Sequence, residues 1–96
     1  MFFLEIDDDR SSVEQPLRFE SGSITLGRDD SMDVVLDDLT VSRQSAIIIE
    51  RDAQHYLQDL GGKNSVRVND AVVVSHPLKD GDIISIGKYK IYFRTT

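Results

Sequence analysis

The sequence predicts an all-β fold, an antiparallel β-sandwich of about ten to eleven short strands. Three observations lead there. Residues 89–94 alternate strictly, with Tyr89, Ile91 and Phe93 on one side and Lys90, Tyr92 and Arg94 on the other, the period of a half-buried strand. Turn-forming pairs recur along the chain: Ser21-Gly22, Arg51-Asp52, Gly61-Gly62, Asn69-Asp70, Asp80-Gly81 and Gly87-Lys88. No window long enough for a helix carries an apolar stripe at helical spacing.

Taken in order, the expected strands cover residues 2–6, 17–20, 23–27, 33–36, 45–51, 55–59, 65–68, 71–75, 82–86 and 89–94. The chain has 96 residues, 40% of them hydrophobic and 29% charged, which suits one soluble domain over 1–96. Such a domain can equally be one part of a longer protein.

Composition excludes several function classes. There is no cysteine, so neither a disulfide framework nor thiolate chemistry is expected, and a reducing, cytoplasmic setting fits. The apolar runs 46–49 and 71–74 are far too short to span a membrane, and Asp7, Asp8 and Asp9 do not suit a signal peptide. The formal net charge of −6 argues against nucleic acid, which needs a basic footprint. His55 and His76 lack a spaced partner, and Asp29, Asp30 and Asp33 lack EF-hand spacing, so no metal or other cofactor is expected. No nucleophile has a matching base and orienting acid, so the chain does not read as an enzyme.

A sandwich leaves its end loops free to carry function. Three of them hold cations and short donors. The first follows Leu26-Gly27-Arg28, the second contains Thr40-Val41-Ser42-Arg43-Gln44, and the third is Gly61-Gly62-Lys63-Asn64. Brought together, Arg28, Ser42, Arg43, Lys63 and Asn64 would suit a phosphate group, which carries about −1.5 to −2 charges at neutral pH. Such a group needs charged donors together with short neutral ones. Each residue also has a plainer reading. Arg28 can pair with Asp29 or Asp30, Ser42 can cap a turn, and Asn64 and Asn69 can occupy turn positions of positive φ.

Order and spacing decide between these readings. From Ile24 to Phe93 the chain resembles the forkhead-associated (FHA) family. The matching segments are Leu26-Gly27-Arg28, Asp33-Val34-Val35-Leu36, Val41-Ser42-Arg43-Gln44-Ser45-Ala46 and Leu57-Gln58-Asp59-Leu60. Asn64-Ser65-Val66-Arg67-Val68-Asn69 and the run from Leu78 to Gly87 follow, and the aromatic strand to Phe93 completes the pattern. The resemblance implies a non-catalytic module that reads phosphothreonine on a partner protein. It implies that Arg28 and Ser42 contact the phosphate, that Arg43 adds a further contact and that Asn64 holds the ligand backbone. Lys63 would stand in for a family threonine or serine.

The departures are specific. Ser45 replaces a family histidine that braces the binding loops, Gly62 replaces a serine, and Asn64-Ser65-Val66 replaces Asn-Gly-Thr. Loss of bracing lowers affinity because the donors are less well organised. A second reading is therefore a phosphate-independent FHA scaffold in a larger assembly, such as a bacterial secretion apparatus.

Overall fold

The computed structural model describes residues 1–7, 17–20, 22–62 and 65–95. Asp8, Asp9, Ser21, Lys63 and Asn64 lie outside the described residues. Eleven strands form two sheets. They are β1 (Phe2–Asp7), β2 (Leu17–Phe19), β3 (Ile24–Gly27), β4 (Val34–Val35), β5 (Ala46–Arg51), β6 (Gln54–Asp59), β7 (Arg67–Val68), β8 (Ala71–Val72), β9 (Ser75–Leu78), β10 (Ile83–Ile86) and β11 (Tyr89–Thr95). One sheet runs β2-β1-β11-β10-β7-β8 and the other β4-β3-β5-β6-β9.

Alternation fixes which side chains meet between the sheets. In β11, Tyr89, Ile91 and Phe93 are buried, as the period of two requires, and in β1 Phe2 and Leu4 take the same face. From the second sheet come Ile24 and Leu26 of β3, Ala46 and Ile48 of β5, and Leu57 of β6. These side chains form one core. Each large apolar side chain fully removed from water contributes roughly 1.5–3 kcal/mol.

Two hairpins turn through two-residue loops, the first one residue later than the Arg51-Asp52 pair expected from sequence. Arg51 pairs with Gln54 around Asp52-Ala53, and Val68 with Ala71 around Asn69-Asp70. All four turn residues have positive φ, between 51° and 71°, the signature of the mirror-image turns that match strand twist. Asn69 is thus a turn residue. Its side chain also bonds Asp82 Oδ1 at 2.9 Å and accepts from Ile83 N at 3.0 Å.

Two features differ from the sequence expectation. The stretch 71–75 is not one strand: β8 ends at Val72, and the chain crosses to the other sheet before β9. The crossing is pinned by Val73 N donating to Val66 O and Asp59 N donating to Val74 O. β9 carries Pro77 and lies at a sheet edge, where a residue without an N–H is tolerated. In addition, β3 and β4 pair in parallel, Leu26 with Val34 and Gly27 with Val35, so the second sheet is mixed.

The register places the end of β3, the start of β5 and the end of β6 side by side, through Leu26 opposite Ala46 and Ala46 opposite Asp59. The loops leaving these points share one pole. At the other pole His55 faces inward, 6% exposed, with its ring centroid 4.8 Å from that of Phe2 and 5.5 Å from that of Phe93. Its Nε2 lacks a hydrogen-bond partner among the described residues and lies 3.7 Å from Glu50 Oε2. Burial pushes the imidazole pKa below its usual 6.5, and Glu50 opposes this only in part.

A lowered folded pKa means that the unfolded chain takes up the proton first. Stability from neutral His55 is therefore complete above pH 6.5 and is lost as pH falls through the lower folded value. Urea unfolding of the wild type should show a falling midpoint from pH 7 to pH 5, and His55→Leu should flatten that slope. A wild-type midpoint unchanged across this range would contradict the assignment.

Candidate functional site

The site begins with one close approach. Gly27 ends β3 directly against the segment Ser42-Arg43, and a Cβ on residue 27 would overlap the Arg43 carbonyl oxygen. Main-chain bonds join the two segments. Arg28 N donates to Ser42 O at 3.0 Å and Asp29 N to Arg43 O at 3.2 Å. Arg28 Nε donates to Val41 O at 3.1 Å, which uses one of five guanidinium N–H donors and orients the rest. Among the described residues Arg28 forms no ion pair with Asp29 or Asp30.

Ser45 makes the second joint. It is 3% exposed. Its N–H donates to Leu26 O, its carbonyl accepts from Leu60 N, and its hydroxyl donates to Ser42 O at 3.2 Å. One small residue thereby ties the end of β3, the Ser42 segment and the segment after β6. With serine in place of the family histidine, a short hydroxyl and two main-chain bonds do the tying at this position.

The third loop reaches the same place. Gly61 has φ of 85°, a conformation that favours glycine, and its N–H donates to Asp59 Oδ1 at 2.7 Å. Gly62 packs onto Ser42 so closely that a Cβ would overlap its hydroxyl. In this chain glycine at 62 is a packing requirement.

A fourth joint holds the Ser42 loop from the opposite sheet. Asp38 Oδ2 accepts from Thr40 N at 2.9 Å and from Thr40 Oγ1 at 2.5 Å, while Lys88 Nζ lies 3.3 Å from Asp38 Oδ1. Lys88 N donates to Thr40 Oγ1 at 3.1 Å. The Thr40 hydroxyl, then the Thr40 N–H and Lys88, hold the Asp38 carboxyl down at about pKa 2.

These joints enclose an open groove of about 740 Å³. Arg28, Ser42 and Arg43 line it together, with Gly61 and Gly62 at its edge. Three of the five residues singled out from sequence thus meet, and Lys63 and Asn64 continue the glycine loop outside the described residues. The groove also holds residues that sequence reasoning did not select, Asp29, Leu39 and Leu60 among them. Asp29 brings one carboxylate beside the cations, and Leu39 and Leu60 bring exposed apolar surface. Leu39 had a legible signal, since it is a leucine inside the polar turn Asp37-Asp38-Leu39-Thr40. Asp82 plays no part here; its carboxylate accepts from Asn69 and from Lys79 N.

A two-sheet β-sandwich with a basic, loop-built groove at one pole is the architecture of a binding module. The chain belongs to the FHA domain family, whose pattern it matches over residues 24–87. It is 38% identical over 69 residues to the oxoglutarate dehydrogenase inhibitor of Corynebacterium diphtheriae, covering 72% of this chain and 48% of that protein. The chain spans just under half the length of the curated relatives it matches. It is also similar to the FhaA FHA domain solved in complex with the intracellular domain of Rv3910. That likeness has a TM-score of 0.86 and 31% identity over 98% of this chain and 100% of the other. A further structure, solved in a study of phosphothreonine-dependent FHA domain interactions, gives a TM-score of 0.84 and 30% identity over 98% and 97% of the two chains.

The tight approach at Gly27 makes a direct prediction. Gly27→Ala must push β3 away from the Arg43 carbonyl, a backbone group that cannot rotate aside, and should cost about 1–3 kcal/mol of stability by urea unfolding. A loss below about 0.5 kcal/mol, within the range of an ordinary surface change, would show that the approach is not constraining.

Proposed function

We propose that this domain binds a phosphothreonine-bearing segment of a partner protein in the groove at Arg28, Ser42 and Arg43. The observation that carries the reading is the shared lining of one open groove by two cationic side chains and a serine on main-chain-tied loops. A phosphate of about −1.5 to −2 charges is matched by guanidinium donors, whose fork geometry suits its oxygens. Arg28 is half-buried and already oriented, so little side-chain freedom is lost on binding. Lys63 and Asn64 are assigned to the same site from their place in the sequence, Lys63 beside the phosphate and Asn64 on the ligand backbone. The solved relative in the phosphothreonine-dependent study supports this reading.

The role is recruitment without catalysis. No helix among the described residues is long and apolar enough to cross a membrane. The absence of cysteine supports a cytoplasmic setting. One observation favours the alternative, a phosphate-independent scaffold: Asp29 places a carboxylate in the groove of a chain with net charge −6.

Titration separates the two. A charge-assisted hydrogen bond is worth roughly 1.5–3 kcal/mol, so Arg28→Ala should weaken binding of a phosphorylated partner about 10-fold to 150-fold. Binding should also weaken as pH falls through about 6, where the phosphate loses its second charge. Equal affinity of wild type and Arg28→Ala for phosphorylated and dephosphorylated partner would reject phosphate recognition and leave the scaffold.

A further inference from the structure

Away from the groove, the outer face of the six-stranded sheet carries its own pattern. Alternation turns Phe3 of β1, Lys90, Tyr92 and Arg94 of β11, Ile83 of β10 and Arg67 of β7 away from the core. The registers set them side by side. Phe3 lies opposite Arg94, Tyr92 lies opposite Ile83, and Ser85 stands between Lys90 and Arg67. The wet face of an antiparallel sheet is normally polar. Here Tyr92 and Ile83 make a half-buried apolar centre, with Phe3 on the diagonal. Three cations surround it: Arg67, Lys90 and Arg94 are exposed, and among the described residues none of them forms an ion pair.

We infer that this face docks a short, extended, acidic segment of a partner protein, independently of any phosphate. Spacing sets the pattern of the segment. Lys90 and Arg94 lie four residues apart on one strand, roughly 13 Å, with Tyr92 between them. An extended peptide repeats its facing side chains on the same period, so acid, apolar residue and acid at alternate positions meet Lys90, Tyr92 and Arg94 in turn. Arg67 stands two strands from Lys90, roughly 10 Å, and takes a further acid on the flank of the segment. Tyrosine and arginine are residue types that hold interfaces once covered. Charge complementarity favours a short peptide over a long polyanion. Glu5 and Asp7 on β1 bound the cations on one side, and the chain carries −6 overall. A polyphosphate chain would therefore run off the face onto repulsive surface.

The test uses no phosphopeptide. A capped peptide with the core Glu-Ala-Leu-Ala-Glu is titrated into the isotope-labelled domain, beside its Gln-Ala-Leu-Ala-Gln and Lys-Ala-Leu-Ala-Lys counterparts and a single-stranded oligothymidylate. Amide shifts from the acidic peptide should centre on Arg67, Ile83, Lys90, Tyr92 and Arg94. They should fade as salt rises from about 0.1 M to about 1 M, where the screening length shortens from about 10 Å to about 3 Å. Lys90→Gln combined with Arg94→Gln should weaken binding about 5-fold at an unchanged urea midpoint, since each exposed ion pair supplies up to about 5-fold. Lys90→Glu combined with Arg94→Glu should weaken it more than about 10-fold, because the acids then repel. No shift with the acidic peptide, or equal shifts with the glutamine peptide, overturns the inference. Shifts centred on Arg28 and Arg43 assign the acidic peptide to the groove and overturn it too. So does wild-type affinity in both double variants. Tighter binding of the oligothymidylate at this face would assign it to nucleic acid instead and also overturn the inference.

Discussion

The packing of β3 against the Ser42-Arg43 segment is the constraint on which the groove depends. Only a residue without a side chain fits at position 27, and this closeness lets Arg28 and Asp29 bond to the carbonyls of Ser42 and Arg43. Arg28 lies across the Ser42 loop, where Val41 O accepts from its Nε. The same closeness recurs at Gly62, which lies on Ser42, and at Gly87, where a Cβ would stand 2.5 Å from Thr40 Oγ1. Four segments from distant parts of the sequence meet because three glycines allow main chain to touch main chain or a small hydroxyl. The sheets supply the platform: the β3–β5 and β5–β6 registers bring the loop roots together, and the core between the sheets holds those registers.

Electrostatics divides into a long-range and a local part. The chain carries −6 overall, which repels an anionic ligand at a distance. At physiological ionic strength such fields fade over about 8 Å. Within the groove the charges are Arg28 and Arg43 beside the carboxylate of Asp29, and Asp30 joins these three in an adjoining hollow. Net charge thus governs the rate of encounter, and the fixed donors govern how tightly the ligand is held. His55 sits at the other pole, among Phe2 and Phe93, and does not line the groove.

Much of this was legible in the sequence, for identifiable reasons. β11 and the Asn69-Asp70 turn are dictated locally, by side-chain alternation and by residues that tolerate positive φ, so reading them needs no tertiary information, whereas the turn at Asp52-Ala53 places an alanine at positive φ that no local preference encodes. Arg28, Ser42 and Arg43 could be selected because their spacing matches a family pattern. What escaped depends on contacts distant in sequence. The stretch 71–75 changes sheets because of bonds to Val66 and Asp59, which no local propensity encodes. Ser45 reads as the loss of a histidine, yet its bracing comes chiefly from its own backbone, a contribution independent of side-chain type. Leu39 and Asp29 entered the groove through the three-dimensional path of their loops.

Main-chain joints assemble Arg28, Ser42 and Arg43 into one groove, and the proposed phosphate reading there can be followed amide by amide. The most direct measurement is amide chemical-shift mapping of the isotope-labelled domain, titrated with a phosphothreonine peptide and with its unphosphorylated twin. Shifts should concentrate at Arg28, Ser42, Arg43, Gly61 and Gly62 with the phosphorylated peptide alone, while amides at the His55 pole stay in place. Equal shifts from both peptides, or shifts centred away from these residues, would contradict it.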